Sequence, residues 1–184
     1  MDLDFRALWQ QALPFEEFVR ASKANSDLWS GVYRLAGTPE WARVEACRAG
    51  TVFRLLVLAE DWCGDGANTV PHLAKLADQT PCLELRILRR DEHPEVMDRY
   101  LTGTARSIPI VIVLDEGFHV VGHWGPRPRQ LQHWVTDVRQ ANPTAHLYPQ
   151  IRRWYAQDKG ATTLREVLEL LQPAPSALPA ATGS

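Results

Sequence analysis

The sequence predicts an α/β fold, a mixed sheet sandwiched by helices and extended by extra helices at both ends. Three observations predict it. Thr51–Ala59 and Pro109–Leu114 are nearly continuous apolar runs of strand length, the mark of strands buried on both faces. Between them, helix-period and strand-period segments alternate. After them, Asp115-Glu116-Gly117 forms a hairpin turn into Phe118–Trp124, which pairs back antiparallel. The order is β-α-β-α-β-β-α over residues 50–141.

The elements follow in order. Phe5, Leu8, Trp9 and Ala12 mark an amphipathic helix before Pro14, and Phe15–Lys23 continues it. Ser26 caps Asp27–Ala36. Thr38-Pro39 reads as an N-cap with proline at the first helical position, opening a helix that buries Trp41, Val44 and Cys47 and stops near Gly50. Residues 1–49 are therefore an N-terminal helical extension. Within the core, Asn68–Asp78 and Pro94–Leu101 are helical, and Leu83–Leu88 alternates as a strand parallel to the first. Pro128–Gln140 is a helix with Leu131, Trp134, Val135 and Val138 facing inward. A C-terminal helical extension, 142–172, holds helices over Thr144–Ala156 and Thr163–Leu171, the second with a Thr163/Glu166 capping box. Residues 173–184 are Pro/Ala/Ser-rich and read as a disordered tail.

Composition narrows the function classes. The chain has 184 residues, 45% hydrophobic and 23% charged, as a globular domain does. Its net charge of −2 argues against a nucleic-acid partner. The apolar runs are too short to span a bilayer, and Met1–Phe5 has no signal-peptide character. Three cysteines cannot all pair within one chain, so the expected compartment is the cytoplasm, with Cys47 and Cys82 as small buried hydrophobes.

Residues 58–71 carry the chemistry. A buried strand ends, Trp62-Cys63-Gly64 turns, and a helix begins near Cys63. A cysteine there meets the positive end of the helix dipole and unpaired backbone N–H groups, which favour the thiolate. Cys63 is expected to be accessible. Asp65 on one side and Glu60 and Asp61 on the other act against the thiolate by repulsion.

This pattern resembles the thioredoxin superfamily over residues 50–140, in the form of a bacterial thioredoxin-like protein with a degenerate active-site motif. The strand–Trp-Cys-Gly-Pro-Cys–helix signature appears as Trp62-Cys63-Gly64-Asp65-Gly66, and Pro71 matches the proline of the following helix. Pro109, in Arg106-Ser-Ile-Pro109, matches the family's cis-proline, and Gly125 its later glycine loop. The resemblance implies Cys63 as nucleophile. It implies substrate contacts from Trp62, Gly64, Asp65, Ile108, Pro109, Gly125 and Arg127. The resolving-cysteine position is lost to Gly66, and the buried acid that serves that cysteine falls at Val57.

Two functions follow. One is a monothiol thiol–disulfide oxidoreductase acting on protein or small-molecule disulfides, resolved by an external thiol such as glutathione, with no resident cofactor or metal. The other is a redox-inactive thioredoxin-fold binding or scaffold module. A Cys63 pKa well below ~8.5 favours the first, and one at or above it the second. Arg127 and Arg129 are candidates to hold carboxylates, glutathione's among them, and Arg152-Arg153-Trp154-Tyr155 is a candidate partner surface. His72, His119, His123 and His133 lack the close pairing a metal site needs.

Overall fold

The computed structural model of the chain describes residues 3–171, so the expected disordered tail lies outside the described residues. Helices α1 (Phe5–Gln11), α2 (Phe15–Arg20), α3 (Ser26–Leu35) and α4 (Glu40–Ala46) come first, with a two-residue strand β1 (Leu13–Pro14) after α1. Next come β2 (Phe53–Ala59), α5 (Gly64–Asp78), β3 (Leu83–Arg89), α6 (Pro94–Met97), β4 (Ile110–Leu114) and β5 (Val120–Trp124). Helices α7 (Arg129–Ala141), α8 (Tyr148–Asp158) and α9 (Ala161–Leu168) follow. The strands form one mixed sheet in the order β1-β3-β2-β4-β5, parallel between β2 and β3 and antiparallel elsewhere.

The continuous apolar runs are explained by burial on both faces. Alternate side chains of a strand point to opposite sides. Leu55, Val57 and Ala59 of β2 join Val111 and Val113 of β4 in one core, closed by Phe18, Trp29, Val70, Leu73 and Val167. Leu56 and Leu58 join Ile110, Ile112 and Leu114 in a second core, closed by Leu8, Trp9, Val96 and Met97. Each such side chain contributes about 1.5–3 kcal/mol on full burial, so neither face tolerates a polar residue.

The N-terminal segment does more than lie against the core, because Leu13 and Pro14 pair antiparallel with Ile87 and Arg86 at the sheet edge. Helix α4 turns its small residues inward. Ala42 and Ala46 are fully buried, whereas Trp41 and Val44 are 38% and 56% exposed, Trp41 lying under the Arg165 guanidinium. Pro39, not Thr38, is its N-cap.

Cys47 and Cys82, expected as separate packing residues, form a disulfide with a Cα–Cα distance of 5.2 Å. The topology brings them together. Cys47 closes α4 just before β2, and the Cys82 carbonyl accepts the Phe53 N–H at 2.9 Å where β2 and β3 start side by side. This bond removes the cysteine-usage argument for a reducing cytoplasm.

The C-terminal elements also differ from expectation. Leu131 and Val135 of α7 pack on Leu147, Ile151 and Tyr155 in a satellite cluster, and Trp134 stays exposed. Pro149 sits in the first turn of α8, where its missing N–H costs nothing. No Thr163/Glu166 capping box forms. Glu166 instead accepts from the Trp124 indole N–H at 2.7 Å and the Arg129 N–H at 3.0 Å, tying α9 to β5 and α7. No helix among the described residues is long and apolar enough to cross a membrane.

Candidate functional site

Cys63 is the N-cap of α5, set there by the end of β2 and the Glu60-Asp61-Trp62 turn. Its Sγ accepts the Gly66 N–H at 3.3 Å, and its S–H donates to the Ile108 carbonyl at 3.4 Å. Cys63 is only 6% exposed, so the expected accessibility does not hold. Burial pushes the thiol up from 9.0 to about 11; the Gly66 N–H opposes this and the Asp65 charge adds to it. The helix terminus acts as its position predicts, yet desolvation outweighs it.

Of the three neighbouring acids, Asp65 is the one that acts on the thiol. Glu60 accepts the Asp91 N–H at 2.9 Å and pairs with Arg89 at 3.6 Å. Asp61 accepts the Lys23 N–H at 2.7 Å, and its carbonyl takes the Trp29 indole N–H at 3.0 Å. Both carboxylates are therefore braces. They fix the α2–α3 loop and the segment after β3 around the Cys63 turn.

The position of the missing second cysteine is filled from outside. A Cβ built on Gly66 would lie 3.2 Å from the ring of Trp29, which is fully buried. An N-terminal helix thus occupies the space a resolving side chain would need. Since Cys47 and Cys82 are bonded to each other, Cys63 is the one free thiol of the three.

Asp65 is held from two directions. Arg127 pairs with it at 2.5 Å, and the Tyr155 hydroxyl donates to it at 2.8 Å. Burial and the Asp65 charge both push the Tyr155 hydroxyl well above the ordinary tyrosine range, so it stays a donor. Arg127 also donates to Gln132 at 3.0 Å. Arg129 is taken by Glu166 and Glu169 at 3.3 and 2.7 Å. The two arginines expected to receive a ligand's carboxylates are thus engaged by the protein's own.

A cavity of about 380 Å³ opens beside the thiol. Trp62, Cys63, Gly64, Asp65, Ile108 and Arg127 line it, so the structure brings most of the expected site residues together. Pro109 and Gly125 do not line it. The Ile108–Pro109 and Gly125–Pro126 peptides are both cis. Gly125, at φ +128°, packs so closely that a Cβ there would fall 2.1 Å from the Pro109 carbonyl oxygen, and only glycine fits. These two residues shape the wall from behind.

The opposite wall comes from α8, through Tyr148, Ile151, Arg152 and Tyr155. These lie on one face at helical spacing. The sequence signal for them was the Arg152–Tyr155 cluster, which carries no information about what it faces. Arg90 and Arg106 complete the rim, Arg90 lying 5.0 Å over the ring of half-exposed Trp62.

The thioredoxin family profile matches residues 12–139. A protein of unknown function from Pseudomonas aeruginosa, solved by crystallography, is similar in structure with a TM-score of 0.73 and 23% identity, over 92% of this chain and 98% of that one. An HIV epitope-scaffold aligns with a TM-score of 0.72 and 22% identity, over 94% and 99%. No curated protein matches. At these identities the structural likenesses speak for fold alone, but the profile spans more than half of the residues, including Cys63 and Pro109, and the chain belongs to the thioredoxin family.

Proposed function

We propose that the protein performs monothiol thiol–disulfide exchange at Cys63, with an external thiol such as glutathione as co-substrate. One observation carries this reading. A single free thiol caps α5 beside a cavity, and Trp29 fills the space of a resolving partner at Gly66. The Cys63 thiolate attacks one sulfur of a disulfide, forming a new S–S bond while the old one breaks. The electron pair leaves with the departing sulfur, which takes up a proton. An external thiolate then attacks the mixed disulfide and Cys63 leaves with the pair. Trp62, Gly64 and Ile108 contact the substrate, and Pro109 and Gly125 hold the wall behind it.

With the thiol up at about 11, its thiolate is about one part in ten thousand at neutral pH. Exchange by the free chain is therefore slow and rises about tenfold per pH unit until the thiol titrates. This same elevation favours the second reading, a binding module in which Cys63 is a buried neutral group. A groove of about 910 Å³ bounded by Leu35, Trp41, His72 and Leu164, sharing Tyr155 and Arg152 with the cavity, supplies such a module with surface.

The two readings separate in one assay. Glutathione-dependent reduction of a mixed disulfide, measured across alkaline pH, is present and abolished by C63S if exchange is the function. Activity that is absent at every pH, or that persists in C63S, rejects exchange in favour of the binding module.

A further inference from the structure

We infer that the cavity selects small disulfides bearing carboxylates, and that Arg152 of α8 is its specificity-determining residue; this rests on the exchange reading. The charge balance of the wall points to it. Arg90, Arg106, Arg127 and Arg152 line the cavity against one carboxylate, Asp65. Asp65 is already paired with Arg127 and accepts from the Tyr155 hydroxyl. Arg106 and Arg90 spend part of their donor capacity on Asp98 and Asp91, outside the cavity. Arg152 is exposed and has no hydrogen bond or ion pair among the described residues.

A guanidinium left open at a cavity wall binds carboxylates through paired N–H donors. The cavity volume is at the small-ligand end of the usual range, which favours a small molecule over a folded partner. Trp62 and Ile108 supply an apolar surface next to the sulfur, so the fitting ligand has an uncharged body around its disulfide and anionic ends. Arg152 and Tyr155 stand one helical turn apart, so the residue that would anchor the anion shares a face with the one that fixes Asp65. The C-terminal extension therefore supplies a ligand-reading wall.

The test compares three small disulfides on the full-length protein: dithiodiglycolate (anionic), hydroxyethyl disulfide (neutral) and cystamine (cationic). Mass spectrometry follows adduct formation on Cys63, and each rate is divided by that of mercaptoethanol with the same reagent. The wild type is expected to favour the anion over the cation by about tenfold, a preference that shrinks as salt screens it. R152A is expected to lose about fivefold of that preference, read as the ratio of the anion's rate to the neutral disulfide's rate within the same variant, and R152K to keep most of it. A preference equal to that of mercaptoethanol, or one R152A leaves intact, overturns the inference and leaves the exchange reading standing. Failure of Cys63 to react with any of the three overturns both.

Discussion

Tyr155 and Asp65, ninety residues apart in sequence, are joined by a 2.8 Å hydrogen bond that fastens α8 to the first turn of the helix Cys63 caps. A hydroxyl donating to a half-buried carboxylate makes one of the stronger hydrogen bonds. Y155F is expected to lose about 2 kcal/mol of stability, read as a lower urea midpoint with an unchanged slope. D65N removes the charge that adds to the thiol's elevation, so the midpoint of Cys63 alkylation against pH should fall below that of the wild type. An unchanged midpoint would mean that Asp65 does not act on the sulfur.

Restoring a cysteine at Gly66 should not restore a dithiol site. Its Cβ would press on the ring of Trp29, which is fully buried. Overpacking of this kind costs about 1–3 kcal/mol. G66C is therefore expected to be less stable and to keep two free thiols after oxidation, whereas in G66C combined with W29F the introduced thiol forms a disulfide with Cys63. Thiol titration of the unfolded proteins distinguishes these states.

The Cys47–Cys82 bond closes a loop across 35 residues of sequence. Such a closure stabilises by about 4 kcal/mol, chiefly by restricting the unfolded chain. The unfolded, unreduced protein should show one reactive thiol, and three after reduction. C47A/C82A should lower the denaturation midpoint without changing how fast Cys63 reacts, because the bond lies at the opposite end of β2 from the site.

The folded chain holds the Cys63 proton more tightly than the unfolded chain, since burial raises the thiol from 9.0 to about 11. That contribution is fully present below 9 and is lost as pH rises through about 11, roughly 1.4 kcal/mol per pH unit across the interval. Tyr33, raised to about 12 by burial and Asp78, acts in the same sense. His72 acts in the opposite direction: burial lowers its pKa, so its contribution is lost as pH falls below the ordinary histidine range. C63A should lose stability less steeply than the wild type over alkaline pH. Parallel curves would contradict the buried-thiol account.

The central strands and the placement of Cys63 were legible in the sequence because they rest on local pattern. Apolar runs at Thr51–Ala59 and Pro109–Leu114 announce two-sided burial, and Trp62-Cys63-Gly64 announces the turn. Contacts that need the tertiary arrangement were not. The pairing of Cys47 with Cys82 follows only once β2 and β3 start side by side. The Trp29 ring over Gly66, and Tyr155 on Asp65, join segments whose local patterns say nothing of each other. Trp41 and Val44 misled because their helix buries its alanines. The thiol's accessibility misled because Cys63 packs into the core with Met97 and Ile108, contacts that residues 58–71 do not encode.

The central question for this protein is whether Cys63 works alone as an exchanging thiol. The most direct measurement is glutathione-dependent reduction of a mixed disulfide by wild type and C63S across alkaline pH. Exchange at Cys63 predicts a wild-type rate climbing about tenfold per pH unit toward the thiol's titration near 11, a mixed disulfide trapped on Cys63, and no activity in C63S. A rate that is flat with pH, or that survives in C63S, contradicts it.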